Sequence, residues 1–249
     1  MAGAGLPAVI DRVDPFERPL LQRLRSSLDD MVERGRTPVP RVADLGCGPG
    51  DVTQALRDEG LWVVGIDIDG DRLAAARAAH PHLVLVRADS QALPLRPGSM
   101  DAAVSISTLQ YVDPARVIDE CSRALVAGGR GWFLENLAGN PVVALYRGVR
   151  RLAGARLAVG EDGDLVPRAH LHLDRFEVLL GRDRALSLVD VAPFHLVSPM
   201  VAPLWFPVPR AGRCARAAVS RLASVDRRLL GRWPGLGRFA WHVYVEVER

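Results

Sequence analysis

The sequence predicts an α/β fold: a doubly wound, mainly parallel sheet of seven strands, with extra segments gathered at one end of it. Three observations carry that prediction. Strand-like and helix-like stretches alternate from residue 41 to residue 136. The strands are short, continuous apolar runs, as expected when helices cover both faces of a parallel sheet. A glycine-rich turn follows the first of them, where an open sheet of this kind takes its ligand.

Residues 16–35 place Phe16, Leu20, Leu21, Leu24, Leu28, Met31 and Val32 at steps of three and four, one face of an entry helix. After Pro38 and Pro40, VADL (42–45) is the first strand, and 51–59 behind the glycines is a helix. LWVVGID (61–67), DRLAAARAA (71–79) and LVLVRAD (83–89) give strand, helix and strand. MDAAVSIS (100–107) is the fourth strand, PARVIDECSRAL (114–125) a helix, and GRGWFLEN (129–136) the fifth strand. Beyond it the character changes. DRFEVLLGRD (174–183) is helical, ALSLVDVAPF (185–194) is the sixth strand, and AWHVYVEVE (240–248) alternates as the seventh. Three stretches of one domain follow: a helical segment at 1–40, a binding core at 41–136, and 137–249 carrying cap insertions with the remaining strands.

Composition narrows the class. At 249 residues and 49% hydrophobic, the chain can bury a full core as one domain with elaborations. Cys47, Cys121 and Cys214 are odd in number and unrelated in spacing, which fits neither a disulfide framework nor a zinc site and points to a reducing cytoplasm. No basic start leads into an apolar leader, and no window approaches the ~20 apolar residues that span a bilayer, so a soluble protein is expected. The net charge of +3 is uneven: residues 1–140 hold 15 arginines against 19 acidic side chains, and 141–249 hold 17 against 10. A basic second half favours phosphate, carboxylate or anionic-surface partners.

The turn RVADLGCGPG (41–50) spaces its glycines two apart, at Gly46, Gly48 and Gly50. A dinucleotide loop would want glycine or alanine at 51. Asp51 stands there and would repel a pyrophosphate at the helix start. The turn, the acidic end of GIDID, then RADSQALPL and MDAAVSISTLQYV closely resemble the successive motifs of class I S-adenosylmethionine-dependent methyltransferases, over roughly residues 41–136. That resemblance implies a Rossmann-like sheet with an antiparallel last strand and a cap formed by the insertions.

It also implies S-adenosyl-L-methionine as cofactor, which has a sulfonium and no phosphate. Gly46, Gly48 and Gly50 would lie under its ribose and methionine portion, and Asp44 would reach the amino end directly or through water. Asp67 would accept both ribose hydroxyls. Ile68 would cover one adenine face, Asp89 would accept the exocyclic amine, and the Ser90 N–H would meet a ring nitrogen. Ser105, closing the fourth strand, would offer its carbonyl to the ammonium. Asp69 and Asp71 read as helix-start residues, and Cys47 as a space-filler.

Many members of the family carry histidine where this chain has Gln110 and Tyr111, so Tyr111 is read as packing against the methionine end or the acceptor. A hydroxyl acceptor has to lose a proton, and His195, just after the sixth strand, is the candidate base. His170 and His172 lack a third ligand at useful spacing, so no metal is expected. Tyr146, Phe194, Trp205 and Phe206 in the insertions suit a small, largely apolar or lipid-like acceptor, with O-methylation favoured. The amphipathic arginine-rich helix at 210–231 either packs on the core or touches a membrane surface. Ser105-Ile106-Ser107-Thr108 replaces the Asn/Asp-Pro-Pro-aromatic sequence of amino-group DNA methyltransferases, which argues against a nucleic-acid acceptor. A protein that binds the cofactor without methyl transfer is the other alternative.

Overall fold

The apolar steps of the first helix and the alternation of the strands become two layers of helix around one sheet. The computed structural model describes residues 18–33, 38–152, 171–180, 185–197 and 212–249. In chain order these form α1 (Arg18–Glu33), β1 (Arg41–Leu45), α2 (Asp51–Asp58), β2 (Trp62–Asp67), α3 (Gly70–Ala79), β3 (Val84–Arg87) and β4 (Met100–Ile106). Then follow α4 (Pro114–Ala124), β5 (Leu125–Asn136), α5 (Pro141–Leu152), α6 (Leu173–Leu180), β6 (Ser187–Phe194), α7 (Gly212–Arg232) and β7 (His242–Glu248).

The seven strands lie in the order β3-β2-β1-β4-β5-β7-β6. Neighbours from β3 to β5 are parallel, and β7 runs antiparallel between β5 and β6. Seven strands, mostly parallel, with the last one reversed, match the expected fold class. The strand order reverses between β1 and β4, which opens a crevice at the carboxyl ends of those strands.

Alternate side chains of each strand face opposite helix layers. Val42, Val63, Ala102, Val104, Trp132 and Leu134 pack with Leu24 and Leu28 of α1 and Ala55 and Leu56 of α2. Ala43, Leu45, Val64, Ile66 and Phe133 face the other way, onto Val117, Ile118 and Cys121 of α4 and Phe176 of α6. Helix starts are set locally. Asp69 caps α3 through the N–H groups of Asp71 and Arg72, and Asp113 caps α4 ahead of Pro114. Asp69 therefore has the helix-start role read for it, while Asp71 donates its own N–H to that cap.

Some boundaries differ from expectation. β5 begins at Leu125 rather than 129, because Leu125 pairs with Met100 at the start of β4, ahead of a register shift that resumes at Ala102 and Arg130. β3 is shorter than 83–89 and ends at Arg87. Phe16, His170, Trp205 and Phe206 lie outside the described residues, as do 153–170 and 198–211.

Candidate active site

The three glycines serve three different needs. Each has positive φ, +73°, +51° and +85° for Gly46, Gly48 and Gly50. A Cβ on Gly46 would sit 2.1 Å from Thr108 Oγ1, and one on Gly50 would meet Leu83 Cδ1 at 2.9 Å and Ala76 Cβ at 3.2 Å. Only at Gly48 is the nearest atom as far as 3.8 Å, on Arg72. Gly46 and Gly50 thus allow protein to close on protein, while Gly48, buried, turns its N–H onto the Asp67 carboxylate.

The turn sits at the head of a cavity of about 550 Å3, whose wall includes Gly46, Asp67, Ile68, Asp89, Ser90 and Tyr111. That volume is of the size that takes a small molecule, ~300–1,000 Å3. Asp67 ends β2 with its side chain nearly buried, and its two oxygens accept the N–H groups of Gly48 (2.8 Å) and Asp69 (2.9 Å). A carboxylate oxygen can accept two hydrogen bonds, so both retain capacity toward the cavity. Ile68 follows with its side chain 57% exposed, an apolar surface available for a flat ring.

Asp89 is on the wall, but its carboxylate is already engaged by the Gln91 backbone N–H (2.8 Å) and side-chain amide (3.1 Å). Gln91 in turn accepts from Asp113 N–H, so the acid is fixed in place. Tyr111 completes the turn Leu109–Tyr111 after β4, and burial pushes its phenol above the usual range.

Of the expected site residues, Gly48 and Gly50 of the turn, Asp44, Ser105 and His195 are not on this wall. Asp44 is behind the glycine turn rather than on the cavity wall, since residue 44 of β1 faces α2 and its carboxylate accepts from Thr53 Oγ1 at 2.5 Å. Burial, with a contribution from Asp67, pushes its pKa up to about 7 against the Thr53 bond. Ser105 is inside β4, paired with Leu45 and Phe133, because the strand continues to Ile106. Ile106 and Ser107 reach the cavity instead.

His195 is set apart from this cleft. It follows β6, three strand spacings or roughly 14 Å along the sheet from β4. Its Nδ1 is 2.9 Å from His242 Nδ1, and it lines a different, mostly apolar cavity of about 260 Å3 with Phe194, Asp226, Leu230 and Tyr244. Burial lowers its pKa to about 4. It is not placed to take a proton at the cleft that holds Asp67.

The residues that sequence reading missed are those acting on other residues. Arg72 of α3 lines the cleft as a cation. Gln91 fixes Asp89, Thr53 fixes Asp44, and Glu135 accepts from the post-β4 turn at Thr108 and Leu109, both at 3.0 Å.

Comparison with known proteins agrees with this geometry. Residues 43–133 match the family described as a methyltransferase domain. The chain spans about half the length of the first curated relatives it matches: an uncharacterised methyltransferase of Mycobacterium tuberculosis is 38% identical over 111 residues, 39% of this chain and 46% of the relative. A ubiquinone biosynthesis O-methyltransferase of Sodalis glossinidius is 32% identical over 192 residues, covering 71% of this chain and 70% of the relative. Among solved structures, an S-adenosylmethionine-dependent methyltransferase from Mesorhizobium loti shares the fold with a TM-score of 0.60 at 23% identity, over 96% of this chain and 100% of that one. The geranyl diphosphate C-methyltransferase of Streptomyces coelicolor, solved with S-adenosyl-L-homocysteine, reaches 0.54 at 17% identity, over 85% and 70%. With an acid ending β2, a glycine turn at the switch point and a relative matched over two thirds of its length, the chain belongs to the class I S-adenosylmethionine-dependent methyltransferases.

Proposed function

We propose that this chain holds S-adenosylmethionine in the cleft at the β1/β4 switch point and directs its methyl group to a small, largely apolar organic acceptor, with oxygen the favoured receiving atom. The observation that carries this reading is the Asp67 carboxylate, held by two backbone N–H groups at the cavity wall with hydrogen-bonding capacity left for a pair of hydroxyls. The relatives named as ubiquinone biosynthesis and malonyl-[acyl-carrier protein] O-methyltransferases favour oxygen.

The cofactor supplies an electrophilic methyl on a sulfonium. The chain supplies binding and alignment. Asp67 takes the ribose hydroxyls, Ile68 lies against the adenine, and Asp89 and Ser90 meet its polar edge. The Asp44 charge behind the glycine turn favours the cationic methionine end. Tyr111, with Ile106 and Ser107, forms the wall on the β4 side and excludes water from the acceptor's approach. Such alignment is worth up to ~7–11 kcal/mol of barrier in favourable systems. Among the described residues no histidine lines this cleft, so a weakly acidic hydroxyl such as a phenol, with a pKa of about 10, suits it better than an alkanol.

The test is an acceptor screen with methyl-labelled cofactor over phenols, quinones, sugars and lipids, with RNA and DNA as further arms. Release of S-adenosylhomocysteine with a small organic acceptor supports the reading. Release with nucleic acid alone would reject it, and binding without turnover in every arm would favour a cofactor-binding protein.

A further inference from the structure

Glu135 is buried with no cationic partner among its hydrogen bonds, at the end of β5. Its Oε1 accepts two successive backbone N–H groups, and its Oε2 has no hydrogen-bond partner among the described residues. A buried carboxyl is costly to place, and an apolar residue would fill the same strand position at lower cost. The reason for its presence lies in the turn it contacts.

β4 ends at Ile106, and the last regular ladder bond is Ser107 N–H to Leu134 O at 2.7 Å. Ser107 then turns into the left-handed region at φ +54°, a conformation that costs a non-glycine residue ~1–3 kcal/mol. Its neighbours fix it there. Asn136 Nδ2 donates to Ser107 Oγ at 3.1 Å, and Gln110 Nε2 donates to Ser107 O at 3.0 Å. Where the ladder would have continued, the Glu135 side chain takes over and accepts from Thr108 and Leu109. Thr108 Oγ1 is within 3.1 Å of both Leu45 O and Ile106 O, in the space a Cβ on Gly46 would need. A line of contacts thus runs from Glu135 through Thr108 to the start of the glycine turn.

We propose that Glu135 is a positioning residue for the cofactor: by holding Thr108 and Leu109 it seats Thr108 against Gly46 and fixes the Ser107–Tyr111 wall of the cleft relative to the glycine turn. This inference rests on the cleft being the S-adenosylmethionine site. It assigns to Glu135 no contact with the cofactor or the acceptor.

The experiment compares wild type, Glu135→Gln, Glu135→Leu and Thr108→Val by calorimetry with S-adenosylhomocysteine, together with KM for the cofactor and kcat. Glu135→Gln keeps an acceptor oxygen for the two N–H groups and is expected to bind within about twofold of wild type. Glu135→Leu removes it and is expected to weaken the dissociation constant about tenfold, and Thr108→Val about fivefold, as loss of one or two net hydrogen bonds would. A merely structural role would lower the binding stoichiometry and kcat of a partly unfolded sample while leaving the dissociation constant and KM unchanged. If Glu135→Leu does not fold, Thr108→Val decides against Glu135→Gln and wild type. Wild-type affinity in every folded variant that loses one of these bonds overturns the proposal. Failure of the wild type itself to bind S-adenosylhomocysteine would instead remove the methyltransferase reading on which it rests.

Discussion

Asp67 joins two backbone anchors to two open acceptor positions, so its removal acts on the ligand more than on the fold. Asp67→Ala is expected to abolish detectable cofactor binding by calorimetry, and near-normal binding would remove the assignment. Asp44 acts through charge. With its pKa raised to about 7, it is partly protonated at neutral pH, and a cationic ligand favours the ionised form. Cofactor affinity should therefore tighten as pH rises from about 6 to 8, and Asp44→Asn should flatten that profile in a titration series. His195→Gln, remote from the cleft, should leave the pH profile of turnover unchanged. Sequence marked Asp67, Ile68, Asp89 and the glycines because each sits beside a strand end in a recurring order. It could not mark Glu135 or Thr108, whose partners lie 27 and 63 residues away and are joined by the sheet. It could not show that His195 stands away from Asp67, because the order of strands within the sheet, which separates β6 from β4, is not written in local periodicity.

At the scale of elements, the turn between β1 and α2 combines backbone freedom with close packing, and the two can be separated. Gly60 has φ +83° with no atom near its absent Cβ, so Gly60→Ala should cost only the left-handed penalty of ~1–2 kcal/mol. Gly50→Ala adds contacts with Leu83 and Ala76, and Gly46→Ala adds a collision with Thr108. Urea denaturation should rank the losses Gly46 above Gly50 above Gly60, with cofactor binding lost at Gly46; equal losses at all three would contradict the packing roles. Strands β1, β2 and β4 were legible because each buries a continuous apolar run. The early start of β5 was not, since Leu125 joins the sheet ahead of a register shift rather than through a pattern of its own.

For the whole molecule, buried titratable groups on opposite sides of neutrality shape stability. Glu135, raised to about 8, and Asp44, raised to about 7, bind protons more tightly folded than unfolded, so their contribution is full at low pH and is lost as pH rises toward those values. His195 and His242, both lowered by burial, act in the opposite sense: their contribution is full above about 6.5 and is lost as pH falls. The two trends offset one another at mildly acidic pH, leaving a decline between about 6.5 and 8 in the cofactor-free protein. Glu135→Gln should remove about 2 kcal/mol of that decline in chemical denaturation, and an unchanged slope would show that Glu135 does not titrate there. β7 is inserted between β5 and β6, and among the described residues β6 has no other strand beside it. During synthesis on the ribosome, β6 emerges ahead of its only neighbour and cannot be stitched into the sheet until His242 and the residues after it have followed. The strands that frame the cleft holding Asp67 have all emerged by Asn136, so the nascent chain can assemble that end of the sheet while its far edge is still waiting for a partner.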